Sequence, residues 1–223
     1  MTDINKIVVR RATAADRNFL IQAIIEADKS GTDKSSYCSL LNINEEELAV
    51  LLNNIFEYEL DGFEFCDNAF CVLEYESLPV GTCASWVENI DGSPSWQNRM
   101  LSIRSEASKE SLDHMLSLQH LVEGVMPSRT PLSMQIESVY IAPSFRGKNL
   151  FNKMVEFHHQ EALLLLSSLN SLELMVYDNN IAAINSYIKS GFEIIQQTKS
   201  TSPELKNIFP SDGMLLLSKK INN

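Results

Sequence analysis

Cysteine is scarce in this chain, and its spacing matches no metal or disulfide framework. The four cysteines, Cys38, Cys66, Cys71 and Cys83, form no C-x-x-C pair, and no histidine lies near them in the sequence. The sequence therefore predicts neither a zinc motif nor a disulfide scaffold, and no metal site is expected. Unpaired cysteines are typical of a reducing compartment, so we expect a cytoplasmic protein.

Long hydrophobic runs are also absent. No window of 18 uncharged apolar residues occurs, so neither a transmembrane helix nor a membrane partner is predicted. Residues 1–17 lack the apolar core of a secretory signal. Apolar residues make up 44% of the chain and charged residues 21%, without a repeat or a low-complexity linker. Residues 1–223 are therefore predicted to form one globular domain.

Basic residues are few relative to acidic ones. The formal net charge is -11, which disfavours nucleic acid as a partner. Residues 1–100 carry 17 acidic and 7 basic residues, whereas residues 101–223 carry 12 and 11. A polyanionic ligand is therefore expected to bind the second half. The acidic first half either favours a cationic ligand or is simply a solvated face.

Hydrophobic periodicity predicts alternating strands and helices. Strands are predicted at 7–10, 70–75, 79–87, 134–141, 172–177, 193–198 and 213–220. Helices are predicted at 14–28, 44–60, 100–103, 112–125, 149–169 and 180–190, with a loop at 30–41. This order predicts a mixed α/β sheet with helices on its faces and one parallel, right-handed strand–helix–strand unit. Residues 89–133 are long for a connection and are interpreted as an insertion that shapes a site.

The segment from Val139 to Leu150 carries the clearest chemical signal. A strand ends near Pro143, and the chain turns through residues 146–148 directly into a helix. The start of a helix offers unpaired N–H groups and the positive end of the dipole. Arg146 and Lys148 add positive charge, and Gly147 permits close approach of an anion. The segment is therefore either a pyrophosphate-binding turn or a surface turn with two solvated bases.

A second segment follows about thirty residues later. Asn180 stands at a helix start after a parallel strand, and Tyr187 lies two turns on, on the same helix face. Gly191 is predicted to end the helix, and Phe192 to pack against the sheet. Tyr187 is interpreted either as a functional side chain or as an ordinary half-buried aromatic.

Together these segments resemble the GNAT superfamily of acyl-CoA-dependent N-acetyltransferases. The family's phosphate-binding pattern Q/R-x-x-G-x-G/A aligns with residues 146–151, and Asn149 and Phe151 replace its two small residues. Its later pattern N-x-x-A-x-x-x-Y-x-x-x-G-F matches at Asn180, Ala183, Tyr187, Gly191 and Phe192. Asn tolerates strained turn geometry well. Phe151 either narrows the phosphate site or packs in the core.

The resemblance implies a mixed, mostly antiparallel central sheet with helices on both faces and central parallel strands that splay apart. It implies acetyl-CoA as cosubstrate, lying between strands 134–141 and 172–177. The implied contacts are Val139, Tyr140, Ile141, Arg146, Gly147, Lys148, Asn149, Leu150, Asn180 and Ala183. Backbone groups of Val139 and Ile141 would pair with the pantetheine arm, and backbone N–H groups of residues 146–150 would hold the pyrophosphate.

The resemblance also implies direct attack of an amine on the thioester, with Tyr187 as the acid that protonates the departing thiolate. Glu137 is our candidate base, because strand alternation predicts that it shares a face with Val139 and burial can raise a carboxyl pKa. The alternative for Glu137 is an ordinary ion-paired strand residue. His158 is predicted to pack at the edge of the core.

Three functional hypotheses follow from these observations. The first is acetyl transfer from acetyl-CoA to a primary amine of a small molecule or peptide by a monomer or homodimer. The second is a catalytically idle acyl-CoA-binding sensor or scaffold module, which the replacements at Asn149 and Phe151 favour. The third is an interaction protein that does not bind CoA.

Overall fold

Seven strands of the described residues hydrogen-bond into one sheet. The computed structural model describes residues 4–58 and 62–221. The strands are β1 (Val8–Arg11), β2 (Phe70–Tyr75), β3 (Leu78–Val87), β4 (Met134–Ile141), β5 (Ser171–Tyr177), β6 (Glu193–Lys199) and β7 (Gly213–Lys220). Their order is β1-β2-β3-β4-β5-β7-β6. Only the β4–β5 pairing is parallel among these strands, which confirms the predicted mixed sheet.

The helices flank this sheet on both faces. They are α1 (Arg17–Lys29), α2 (Ser36–Leu41), α3 (Glu45–Phe56), α4 (Ser95–Glu106), α5 (Lys109–Ser117), α6 (Gln119–Glu123), α7 (Leu150–Leu165), α8 (Ile181–Lys189) and α9 (Leu205–Ile208). In the two described ranges, none of them combines the length and the hydrophobicity that crossing a bilayer requires.

The predicted and observed helices differ in short elements and over residues 95–123, where the helix predicted at 100–103 spans Ser95–Glu106 and the one predicted at 112–125 is divided into α5 and α6. The prediction of a loop at 30–41 was wrong, because α2 forms there. Its start is held by Ser35, whose hydroxyl accepts the Cys38 N–H at 3.2 Å. Helix α3 begins where predicted, and Asn44 and Glu47 cap each other's backbone N–H groups. The prediction extended this helix to residue 60, and residues 59–60 lie outside the described ranges.

Two apolar cores lie on opposite faces of the sheet. One contains α7 and α8 side chains, including Phe151, Met154 and Tyr187. The other contains the apolar stripes of α1 and α3. Phe151 is buried in the first core, so its bulk packs inward, as one of the two sequence interpretations holds.

The central strands separate after a short parallel pairing. β4 pairs with β5 only from Met134 to Ile136. Beyond that point β4 carries a bulge: Ser138 has a positive φ of 51°, and the register with β3 shifts between Thr82 and Ala84. A bulge bends a strand and increases its local twist. The predicted splaying of the parallel strands is therefore confirmed, and it opens a cleft.

The bulge also overturns one prediction from strand alternation. Glu137 pairs with Ala84 and Tyr140 pairs with Thr82. Because Ala84 and Thr82 lie two residues apart on β3, Glu137 shares a face with Tyr140 and not with Val139. The expectation for Val139 was wrong because the extra residue in the bulge reverses the alternation.

The entry into α1 predicts a pH dependence of stability. Arg10 donates to both carboxylate oxygens of Asp16 at 2.8 and 2.9 Å, and the Thr13 N–H donates to Asp16 at 2.9 Å. The Arg10 hydrogen bonds outweigh burial and lower the pKa of Asp16 from 3.8. A lowered native pKa stabilises the fold above 3.8, and this contribution disappears as pH falls through the native pKa. Urea unfolding should therefore show a smaller loss of stability below pH 3.8 in Asp16→Asn than in the unchanged chain. Equal losses would contradict this assignment.

Candidate functional site

The cleft between β4 and β5 is large and is lined by both halves of the chain. Its volume is about 1850 Å³. Ten of the twelve site residues named from the sequence line it, and the exceptions are Lys148 and Leu150. The fold thus brings residues 139–150 and the segment that begins at Asn180 to one opening, although about thirty residues separate them.

One end of the cleft is the start of α7. Asn149 takes a left-handed conformation with φ 57°, and its side chain caps no N–H of α7. Gly147 has φ 74°, and a Cβ there would meet no described atom within 4 Å. The first turn of α7 therefore presents its N–H groups and positive dipole end beside open space. This is the arrangement that binds phosphate groups at helix starts.

The two bases of this turn lie in different places. The Arg146 Nε donates to the Ile141 carbonyl at 2.8 Å, beside the cleft. Lys148 turns away: its Nζ donates to the Ser144 carbonyl at 2.6 Å and lies 5.0 Å from the Phe145 ring centre. The prediction that Lys148 contributes a cleft cation is therefore not supported by the position of its side chain. Leu150 packs in the core, so only its backbone can serve the site.

The free edge of β4 forms one wall. The Ala142 N–H donates to the Val80 carbonyl on the β3 side at 2.9 Å. Alternation along the strand therefore directs the peptide groups of Ile141 toward β5, where the β4–β5 pairing has already ended. Tyr140 instead pairs with Thr82 on β3, and the centre of its ring lies 6.0 Å from that of the Phe19 ring. The edge can accept hydrogen bonds from, and donate them to, an extended amide-containing ligand.

Tyr187 and the start of α8 form the opposite wall. Tyr187 is buried, and its ring centre lies 4.9 Å from that of Phe151. Burial, followed by the nearby Cys83 and Glu137, raises the pKa of the Tyr187 phenol. Asn180 uses its side chain within the fold: Oδ1 accepts the Ala183 N–H at 3.2 Å, and Nδ2 donates to Ser30 at 2.9 Å. The Asn180 amide therefore positions α8 against the loop that follows α1.

Glu137 is held by an ion pair at the floor of the cleft. Its carboxylate accepts a hydrogen bond from Arg129, whose guanidinium also donates to Gln135 at 2.9 Å and lies 5.0 Å from the Trp86 ring centre. Burial raises the pKa of Glu137, but Arg129 and Arg99 outweigh it, and the net pKa is lowered. The expected raised pKa was therefore wrong, because the fold supplies two guanidinium groups.

A second buried pair, Glu64 with Arg99, was not found from the sequence. The Arg99 Nε lies 2.9 Å from Glu64 Oε1, and Glu64 is completely buried. The Tyr37 hydroxyl donates to the same carboxylate at 3.3 Å. Arg99 and Tyr37 line the cleft. Glu64 lies in an acidic stretch that is indistinguishable in sequence from a solvated face, so no sequence signal marks it.

Asp28 is a further cleft residue that the sequence did not indicate. It accepts hydrogen bonds from the Ser35 hydroxyl at 2.6 Å and the Tyr37 N–H at 3.2 Å. Burial raises the pKa of Asp28, although hydrogen bonds from Ser35 and Ser36 oppose the shift. Asp28 is thus a cleft-lining carboxyl whose pKa is raised above 3.8.

The outer rim of the cleft is apolar and comes from the helices of residues 95–123. Trp96, Leu101 and Leu116 line the cleft while remaining largely exposed. Met100 and Met115 line it beside them. Exposed apolar side chains grouped around an opening are typical of a ligand-contacting surface.

Solved acetyltransferase structures share this architecture. An N-acetyltransferase from Staphylococcus aureus Mu50 has a TM-score of 0.62 at 14% identity, covering 95% of this chain and 99% of that chain. A ribosomal-protein-alanine N-acetyltransferase from Brucella melitensis has 0.53 at 16%, covering 96% and 99%. An agmatine N-acetyltransferase mutant has 0.57 at 12%, covering 97% and 100%.

At the level of sequence, no protein-family profile and no curated protein matches the chain. The structural likeness nevertheless extends over nearly the whole length of the chain and of each of the three structures. The chain therefore has the fold of the GNAT superfamily of acetyltransferases.

Proposed function

We propose that this protein transfers an acetyl group from acetyl-CoA to a primary amine. One observation carries the proposal: the uncapped start of α7 and the open edge of β4 share one cleft with Tyr187. An anion site, an amide-pairing edge and a proton donor in one opening are what transfer from a nucleotide-linked thioester requires.

The residues present fit acetyl-CoA, which supplies an acetyl group activated as a thioester. The N–H groups at the start of α7 and the open space at Gly147 suit the pyrophosphate. Arg146 adds positive charge beside it. The outward peptide groups of Val139 and the outward N–H of Ile141 suit the amides of the pantetheine arm, as an added strand would. Ala183 lines the wall next to them.

Tyr187 is suited to protonate the departing thiolate. Its raised pKa keeps the phenol protonated across neutral pH, and burial between the apolar side chains of α7 and α8 keeps it oriented. An attacking amine must first lose a proton. Glu137, the candidate from the sequence, is ionised beside Arg129 and is a weak base. Asp28, a cleft-lining carboxyl whose pKa is raised, is a second candidate.

The acceptor is proposed to be a primary amine carried on an apolar body, either a small molecule or a peptide. The names of the similar structures cover both kinds, agmatine and a ribosomal-protein alanine. Here Glu137, which lines the cleft, and the buried Glu64, which contacts the cleft residue Arg99, are each paired with an arginine, so they offer little attraction to a second positive charge on the acceptor. The apolar rim around Trp96 suits an uncharged body instead.

Calorimetry and a turnover assay test the proposal together. Titration with CoA should give one site per chain, and acetyl-CoA with a panel of primary amines should release free thiol. CoA binding without turnover on a broad panel would favour an idle acyl-CoA-binding module. If CoA neither binds nor changes the melting temperature, the remaining hypothesis is an interaction protein that does not bind CoA.

Gly147→Ala is predicted to weaken CoA binding selectively. A Cβ at this position would occupy the open space beside the α7 start, and a left-handed alanine costs about 1 kcal/mol. We expect the CoA dissociation constant to rise roughly fivefold to tenfold. Gly92→Ala is a matched control: Gly92 also has a positive φ and open space at its Cβ, but it does not line the cleft. Equal binding by both variants would contradict the phosphate site.

A further inference from the structure

Two cysteines and one histidine that are distant in sequence meet inside the first core. Cys71 on β2 and Cys83 on β3 are directly paired across the two strands, and their Sγ atoms lie 3.9 Å apart. Both are completely buried. The cysteine spacing in the sequence pointed to no partner histidine, but α7 places His158 against this pair. The ligand atoms of the three residues lie within 4.8 Å of one another.

The histidine is already oriented by a backbone group. Its Nε2 lies 3.0 Å from the Cys83 carbonyl oxygen. When Nε2 carries the proton and donates to this carbonyl, the lone pair of the neutral ring is on Nδ1. Metal-binding histidines commonly use one ring nitrogen in this way, since the hydrogen bond fixes the tautomer and the ring orientation.

The distance between the sulfur atoms fits a shared metal ion better than a disulfide. With metal–sulfur bonds of about 2.3 Å at tetrahedral angles, two sulfur atoms are about 3.8 Å apart. A disulfide requires about 2.0 Å, so the two sulfur atoms as placed are not bonded to each other. No carboxylate of the described residues belongs to the cluster, which disfavours Mg²⁺ and Ca²⁺.

We propose that Cys71, Cys83 and His158 bind one thiophilic divalent cation of the zinc type. Two thiols lose their protons as two metal–sulfur bonds form, and the imidazole binds as the neutral base. Two thiolates balance a divalent charge, so the buried site gains no net charge, whereas a monovalent ion would leave one negative charge in the core. The ion would clamp β2, β3 and α7 together directly behind the β4 bulge, because Cys83 stands between Thr82 and Ala84.

Zinc titration of the reduced, chelator-treated full chain tests this site. We expect one equivalent of Zn²⁺ per chain, a rise in melting temperature, and X-ray absorption with two sulfur neighbours and at least one nitrogen. Cys71→Ser should abolish this binding. Cys38→Ser is the matched control, since Cys38 is a free cysteine outside the cluster.

Several outcomes would overturn the proposal. These are no Zn²⁺ uptake, uptake that survives Cys71→Ser, or a coordination shell of oxygen and nitrogen alone, as surface acids would give. Uptake of Cu⁺ without Zn²⁺ would overturn the divalent assignment. The absorption measurement uses the unchanged chain, so the test still decides if Cys71→Ser does not fold. None of these readouts depends on acetyl transfer.

Discussion

Tyr187→Phe is expected to lower kcat by about a hundredfold to a thousandfold while the CoA dissociation constant changes less than about twofold. The substitution removes only the phenol oxygen, and the ring contacts with Phe151 and Phe192 remain. In the proposed mechanism, the lost rate would reflect the missing proton for the departing thiolate. Steady-state thiol release and CoA calorimetry on the same preparation measure the two quantities.

Tyr177→Phe is the control for Tyr187→Phe. Tyr177 is also a buried tyrosine at the cleft, burial likewise raises its pKa, and no proton transfer is assigned to it. Its kcat should stay within a few-fold of that of the unchanged chain. Parallel losses of kcat and CoA affinity in Tyr187→Phe would contradict the acid role and assign the tyrosine to binding.

Arg99→Met is expected to lower the free energy of unfolding by about 3–5 kcal/mol. The substitution leaves the Glu64 carboxylate, which is completely buried, without its ion-pair partner. Burial already raises the pKa of Glu64, and Arg99 is the largest opposing influence. Without Arg99, folding must either bury a bare charge or take up a proton. Urea denaturation at neutral pH measures the loss.

Two further variants separate the ion pair from simple loss of packing. Glu64→Gln in the Arg99→Met background should restore a large part of the lost stability, because no charge is then buried. Arg17→Met is the matched control: the Arg17 and Arg99 side chains are equally exposed at 16%, but the Arg17 partners Asp67 and Glu57 are partly solvated. Its loss should stay below about 1 kcal/mol. A similar loss in both single variants would refute the buried-charge explanation.

Local patterns accounted for much of the element order. The bounds of β2, β4 and β7 agree with the predictions, because apolar runs bounded by turn residues carry a strong local signal. The start of α3 at Asn44 was equally clear, since a capping box is a local pair of hydrogen bonds. The short helices α2 and α9 were missed, as isolated helices of this length depend on tertiary contacts.

The residues of the candidate site likewise divide into those that the sequence indicated and those that it did not. Gly147 and Asn149, at the turn before α7, and Tyr187, at its helical spacing from Asn180, could be named in advance. Their roles need only a helix start and a shared helix face, which sequence spacing determines. The chain alone thus determined much of the order of the elements, the candidate anion-binding turn and the candidate acid.

Only the tertiary structure decided which charges meet. The bulge at Ser138 places Glu137 on the face opposite to the one expected. Arg129 and Arg99 lower the pKa of Glu137, which was expected to be raised. Glu64, Asp28 and the Cys71–Cys83–His158 cluster have no signature in sequence. A pKa or a metal affinity depends on distances of a few ångströms between side chains from different elements, and packing of the elements sets those distances.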